Sequence, residues 1–247
     1  MSTGKTAIIT GANKGIGREI ARQLGHRGYS VWLGCRDPER GEQAAAELRK
    51  EGLDAHLLAL DVTSDASVKA AALTYGKARD TLDVLVNNAG IATGGYTAPS
   101  EASLDDMRAV YDVNVFGPVR VTQAFVPFLR KAGQGRIVMM SSSLGSISEQ
   151  LDMTRGPYAV NLLGYNSSKS ALNMITVSFA KELAPSGIKV NAANPGYVAT
   201  DLNNHQGYRS VEQGAAIAVQ LATLGPLGPT AGFFNDGSDA PLGRHAW

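Results

Sequence analysis

The amino-acid sequence predicts an α/β fold: a doubly wound, mostly parallel sheet with helices on both faces. Three observations carry that expectation. Short apolar runs alternate with segments of helical periodicity along the 247 residues. The runs are continuous, as in strands buried on both faces. No linker, low-complexity tract or internal repeat breaks the alternation, so residues 1–247 are expected to form one domain.

Thr6-Ala7-Ile8-Ile9 is the first strand and stops at a glycine turn. Ile16, Ile20, Ala21 and Leu24 then recur at helical spacing, and Gly28 stands where a helix C-terminal glycine belongs. Ser30 to Gly34 is the second strand. Asp37-Pro38 reads as an N-cap followed by proline at the first helical position, opening a helix through Ala44 and Leu48 that ends near Gly52. His56 to Leu60 is a third strand, Ser64 to Arg79 a helix, and Asp83 to Val86 a fourth strand that ends in Asn87-Asn88-Ala89-Gly90. A long helical region runs from about Leu104 to Leu129, with Pro118 and Pro127 expected to kink or end parts of it. Arg136 to Met140 and Ile188 to Ala192 are the fifth and sixth strands, and the helix between them carries Tyr165 and Lys169. Val211 to Leu224 is helical, and Gly232-Phe233-Phe234 makes a seventh strand.

The bulk numbers describe an ordinary globular chain. Hydrophobic residues make up 44%, charged residues 18%, and the net charge is +1. No basic excess points to nucleic acid, and no acidic run points to disorder. Cys35 is the only cysteine, which fits a reducing compartment. His26, His56, His205 and His245 are scattered without metal-ligand spacing, so no metal site is expected. The N-terminal apolar run is too short for a signal-peptide core, and no stretch approaches a membrane span. A soluble, cytoplasmic protein that binds neither nucleic acid nor membrane is the expectation.

Ligands in such sheets lie beyond the carboxyl ends of the strands. The turn Gly11-Ala12-Asn13-Lys14-Gly15-Ile16-Gly17 follows a strand and opens a helix. That places backbone N–H groups and a positive helix end where a pyrophosphate can sit, with glycines allowing close approach. A plain tight turn would use the same residues, but the strand before and helix after favour a dinucleotide. The second strand ends Gly34-Cys35-Arg36-Asp37, with Cys35 at the position where an acid would meet a ribose diol. Arg36, with Lys14 from the glycine turn, favours the 2′-phosphate of NADP(H). The plainer alternative makes Arg36 a solvated charge and Asp37 a helix cap. Asp61, followed by Val62, ends the third strand and can meet an adenine edge, cap the next helix, or do both. Asn88, Ala89 and Gly90 form a small-residue turn that admits a ribose.

Tyr165 and Lys169 share a helix face. A nearby ammonium favours the phenolate and is expected to lower the phenol from its ordinary value of about 10, making it a better proton donor. Read singly, Tyr-x-x-x-Lys is common by chance. Three further features join it. Ser142 follows the fifth strand with a hydroxyl for a reacting oxygen; Asn114 offers an amide able to hold a water near Lys169; and Pro195-Gly196 leads to Val198 and Thr200, which can meet a carboxamide.

These motifs together resemble the short-chain dehydrogenase/reductase family in its short single-domain form of roughly 250 residues. The resemblance covers nearly the whole length. It rests on Thr10-Gly11-Ala12-Asn13-Lys14-Gly15-Ile16-Gly17, on Asn87-Asn88-Ala89-Gly90, on Asp112-Val113-Asn114-Val115, on Tyr165-Asn166-Ser167-Ser168-Lys169, and on Pro195-Gly196-Tyr197-Val198-Ala199-Thr200. It implies a Rossmann-type sheet, an NADP(H) cofactor, and reversible reduction of a ketone or aldehyde with Tyr165 as general acid. Gly145, three positions on, selects Ser142 from Ser141-Ser142-Ser143. The Arg36-Asp37 ending and Lys14 look most like NADP-dependent carbonyl reductases. One departure is the segment 143–164 between Ser142 and Tyr165, where many relatives have about a dozen residues. It is expected to form part of a substrate wall or to reshape a subunit contact. A dimer or tetramer is implied, with a monomer possible. The alternatives are a non-catalytic dinucleotide sensor of the same fold, or a reductase of acyl-carrier or steroid substrates.

Overall fold

The computed structural model describes residues 3–235 and 242–247. Seven strands lie parallel in one sheet: β1 (Thr6–Thr10), β2 (Ser30–Cys35), β3 (Ala55–Ala59), β4 (Val84–Asn87), β5 (Arg136–Met140), β6 (Lys189–Ala193) and β7 (Phe233–Asn235). Their order across the sheet is 3-2-1-4-5-6-7. An eighth strand, β8 (Gly243–Arg244), closes the far edge antiparallel to β7. The expected seven strands are therefore present with one more. β8 is two residues long, too short to carry a periodicity that could have announced it.

Among the described residues, eight α-helices connect the strands: α1 (Gly15–His26), α2 (Pro38–Lys50), α3 (Asp65–Ala78), α4 (Leu104–Tyr111), α5 (Gly117–Ala132), α6 (Ile147–Gln150), α7 (Leu163–Leu183) and α8 (Val211–Ala222). Two residues per pleat decide which side each strand side chain joins. Ala7 and Ile9 of β1 enter one core with Ile20, Ala21 and Leu24 of α1, Leu48 of α2 and Ile217 and Leu221 of α8. Ile8, between them, enters the other core with Tyr75 of α3, Phe125 and Leu129 of α5 and Leu172 and Leu183 of α7. Helices on both faces, around a sheet that alternates between two dry cores, make the Rossmann-type arrangement expected.

The long helical region is not one helix. Between α4 and α5, Asp112–Phe116 form a single π-helical turn, and Asn114 is its fully buried centre. Pro118 falls in the first turn of α5, directly after the π turn. Pro127 lies inside α5 without ending it. Asp37 caps α2 by accepting from Glu39 N and Arg40 N, as its sequence position predicted.

The strand order reverses between β1 and β4, which pair with each other while their following connections depart in opposite directions. That reversal opens a crevice at the strand ends, and the candidate residues gather there.

Candidate active site

One cleft of about 1370 Å³ runs across the strand ends. The glycine turn, Arg36, Asp61 and Val62 line one part of it; Asn88, Ala89 and Gly90 cross its middle; Tyr165, Lys169, Pro195 and Thr200 line the rest. Gly196 and Val198 are not in its lining. Val198 is buried and packs its side chain on Gly214, while Gly196, at φ +76°, lies under the Arg209 side chain.

The glycine turn is built for close contacts. A Cβ on Gly17 would stand 2.4 Å from Asn88 Nδ2 and 2.5 Å from the Gly11 carbonyl; one on Gly11 would meet Ala89 Cα at 3.0 Å. Asn88 ties this turn to β4, donating from Nδ2 to the carbonyls of Thr10 and Gly11. Thr10 Oγ1 accepts from both Asn88 N and Ala89 N. Thr10 thus holds two ligand loops in register, a role its place in a strand did not reveal. Gly15, by contrast, is open: at φ +55° its nearest neighbour would be Thr200 Cγ2 at 3.8 Å. No side chain caps α1 at Lys14, so the helix presents its first-turn N–H groups to the cleft.

At the far end, Arg36 is exposed and has no ion-pair partner among the described residues. Asp37 faces its own helix, and Cys35 is buried against Gly41, its thiol pushed up to about 11 by burial. Lys14 is exposed on the same cleft but is ion-paired with Asp201, which also holds His205 at 2.8 Å. The Asp201 carboxyl is held below its ordinary value mainly by Lys14. Asp61 Oδ1 accepts from Thr63 N and Thr63 Oγ1; Ser64, not Asp61, caps α3.

Tyr165 and Lys169 line the other end of the cleft, while Asn114, fully buried, and Ser142 are not in its lining. Ser142 is close enough to Tyr165 to lower its phenol slightly, and its own Oγ accepts from Leu144 N at 3.2 Å. Ser141 reaches the cleft, but its hydroxyl donates to Asn173 Oδ1 at 2.6 Å, which leaves Ser142 as the serine facing the phenol. Gly145 makes this possible. A Cβ there would lie 2.6 Å from the Lys169 carbonyl carbon and 2.6 Å from Lys169 Cβ, so only glycine lets the turn after Ser142 press against α7.

Lys169 is 5% exposed and donates from Nζ to the Met140 carbonyl at 2.7 Å. Burial lowers it to about 8. Nζ lies 5.5 Å from the centroid of the Tyr165 ring. The phenol is nevertheless pushed up to about 12 by burial, against a smaller downward pull from Ser142. The expected lowering by the ammonium is overturned here: burial sets the direction, and the opposing pull comes from Ser142 and not from Lys169. Asn114 has both amide atoms engaged: Oδ1 accepts from Ile91 N at 2.9 Å, and Nδ2 donates to Ile91 O at 2.9 Å and Ser168 Oγ at 3.1 Å. Ser168, which donates on to the Tyr165 carbonyl at 2.7 Å, is a site residue that sequence reading missed; its position inside the Tyr165–Lys169 turn was the available signal. Gly90 lies between the two groups, where a Cβ would stand 3.4 Å from Asn114 Oδ1 and 3.6 Å from Lys169 Nζ.

The segment between Ser142 and Tyr165 contains α6 and a short 3₁₀ turn at Gly156–Ala159. No helix among the described residues is long and apolar enough to cross a membrane.

Residues 5–209 match the short chain dehydrogenase family model. The chain is 36% identical over 225 residues to the short-chain dehydrogenase anuI of Penicillium roqueforti, which covers 88% of each chain. It is 34% identical over 277 aligned positions to (+)-neomenthol dehydrogenase of Arabidopsis thaliana, covering 90% of this chain and 92% of the other. Among solved structures, NADPH-bound carbonyl reductase from chicken fatty liver superposes with a TM-score of 0.84 at 30% identity, over 98% of this chain and 99% of the other.

Proposed function

The chain belongs to the short-chain dehydrogenase family, and from that premise we propose that it is an NADPH-dependent oxidoreductase that reduces a small-molecule ketone or aldehyde to an alcohol, reversibly. One observation carries the reading: a partly buried phenol, beside Ser142 and Lys169, shares a single cleft with an open glycine turn and an unpaired arginine.

The residues present fit the cofactor. The uncapped start of α1 and the open space at Gly15 suit a pyrophosphate. Arg36 has no acidic partner among the described residues, and Asp37, the nearby carboxylate, is turned to its helix. A cation without a competing anion at the ribose end favours the 2′-phosphate of NADP(H) over the diol of NAD. The avian carbonyl reductase of similar fold carries the same cofactor. Asp61, Val62, Asn88, Ala89 and Gly90 would border the adenosine and ribose, and Pro195 and Thr200 the carboxamide, with Gly196 and Val198 shaping that turn from behind.

When bound, NADPH supplies the hydride. The chain supplies the rest. Ser142 and Tyr165 donate to the carbonyl oxygen and polarise it. A phenol near 12 stays protonated at neutral pH, so Tyr165 is poised as the proton donor, and its proton passes to the oxygen as the alcohol forms. Lys169, anchored on Met140, keeps further N–H groups that would hold the nicotinamide ribose and steady the phenolate that Tyr165 becomes. Asn114 fixes Ile91 beside Gly90, and the second lone pair of Oδ1 holds the water that returns a proton to Tyr165.

The test is turnover of a ketone and aldehyde panel with NADPH, followed by loss of nicotinamide absorbance. Tyr165→Phe is expected to lower kcat by roughly 10²–10⁴-fold with NADPH binding retained. Full activity in Tyr165→Phe refutes the assignment. Tight NADPH binding without turnover of any carbonyl identifies a sensor instead.

A further inference from the structure

A buried polar chain runs behind the cleft and takes no part in the chemistry above. His245 Nδ1 lies 2.8 Å from Glu149 Oε1, with side chains only 9% and 13% exposed. His245 Nε2 lies 2.8 Å from Asn194 Nδ2. Asn194 Oδ1 accepts from Gly196 N at 3.1 Å. The His245 ring stacks on Phe233 with centroids 4.9 Å apart, and His245 N donates to the Phe233 carbonyl at 2.7 Å. Trp247 stacks on the same phenylalanine, and its carbonyl accepts from Ser148 N and Ser148 Oγ. The tail thus joins α6, in the segment between Ser142 and Tyr165, to the turn after β6.

The proton positions follow from the network. Gly196 N–H claims Asn194 Oδ1, so Asn194 presents its NH₂ to His245. Nε2 must then accept, which leaves the proton on Nδ1, donated to the Glu149 carboxylate. Reversing the amide would strip Gly196 N–H of its acceptor. The network is thus consistent in one hydrogen-bonding sense, from Glu149 to Gly196.

We propose that Glu149, His245 and Asn194 form a positioning relay that fixes the Pro195–Gly196 turn, and through it the nicotinamide end of the cleft. Pro195 lines the cleft, and Gly196 follows it at φ +76°, a conformation open to glycine, with its N–H held by Asn194. The last residues of the chain are therefore part of the working site, although they lie beyond the matched span 5–209. The relay rests on the reductase reading only for what occupies that end of the cleft.

The test is the pair of substitutions His245→Phe with Glu149→Leu in one protein. Phenylalanine keeps the stack on Phe233, and leucine avoids a buried unpaired carboxylate. In the protein without cofactor, the Gly196 amide is expected to exchange with solvent about ten-fold faster. With NADPH bound, the nicotinamide fluorescence shifts from that of the parent. In turnover, kcat falls about ten-fold while KM for the carbonyl is nearly unchanged, as for misplacement of a reacting group. Glu149→Leu alone gives the same direction if the double variant does not fold, and Glu149→Gln, which still accepts from Nδ1–H, keeps parent values. Gly196 exchange and bound-NADPH fluorescence unchanged in both leucine-containing proteins overturn the relay. A parent protein that binds NADPH but reduces no carbonyl defeats the reductase reading alone, because exchange and fluorescence still decide the relay.

Discussion

Lys169 carries a charge in a place that resists charge, and Lys169→Met measures the consequence. Its ammonium is 5% exposed and bonded to a neutral carbonyl, Met140 O. Burial takes it from its ordinary 10.5 to about 8. That gap corresponds to about 3 kcal/mol at roughly 1.4 kcal/mol per pH unit. The sign follows from proton counting. Below pH 8 both folded and unfolded chains hold the proton, and the fold bears the full penalty. Between pH 8 and 10.5 the unfolded chain still binds the proton that the folded chain has released, so this contribution to stability rises with pH. Above 10.5 both states are neutral and the penalty is gone. The methionine variant has no ammonium at any pH. Its stability relative to the parent should therefore be most favourable below pH 8 and should decline by about 3 kcal/mol by pH 10.5. Loss of the donor to Met140 O costs roughly 1–3 kcal/mol and lowers the whole difference without altering its trend. Urea unfolding of both proteins from pH 7 upward reads the difference directly; the other groups that titrate in this range, including Cys35, are common to both. A stability difference that stays flat across this range refutes the idea that burial depresses Lys169.

Two further outcomes follow from the same geometry. Arg36→Asp should weaken NADPH binding by roughly ten- to a hundred-fold, the worth of one charge-assisted contact, and shift selectivity toward NADH; unchanged cofactor preference in a titration removes Arg36 from the phosphate site. Gly145→Ala places a Cβ 2.6 Å from the Lys169 backbone and so forces the Ser142 turn off α7. A loss of about 1–3 kcal/mol in denaturant unfolding, with lower kcat, is expected, and parental stability and turnover would show that the contact is not needed.

Much of the site was legible because it is written in local spacing. A strand that ends in Gly11 and restarts as a helix at Gly15 declares its turn whatever surrounds it, and Tyr165 and Lys169 share a face through the helical repeat alone. Gly145 could be picked out because the turn after Ser142 presses on α7 within three residues. The alternation of apolar runs with helical segments likewise gave the doubly wound sheet, since strands buried on both faces must be apolar throughout.

What escaped depends on packing between distant segments. The π turn at Asn114 comes with an amide bonded to Ile91, a partner from another loop, and no local pattern encodes that pairing. The phenol of Tyr165 rises where its neighbour alone argued for a fall, because burial is a property of the assembled fold. Lys14 pairs with Asp201, and His245 reaches Glu149, across long stretches of chain. The sequence by itself determined the order of elements, the glycine turn and the shared helix face of Tyr165 and Lys169, all fixed by backbone geometry over a few positions. Only the tertiary structure decided which of those groups are desolvated, which are already engaged, and how the C-terminal tail joins them, because desolvation and long-range pairing arise only when remote segments pack together.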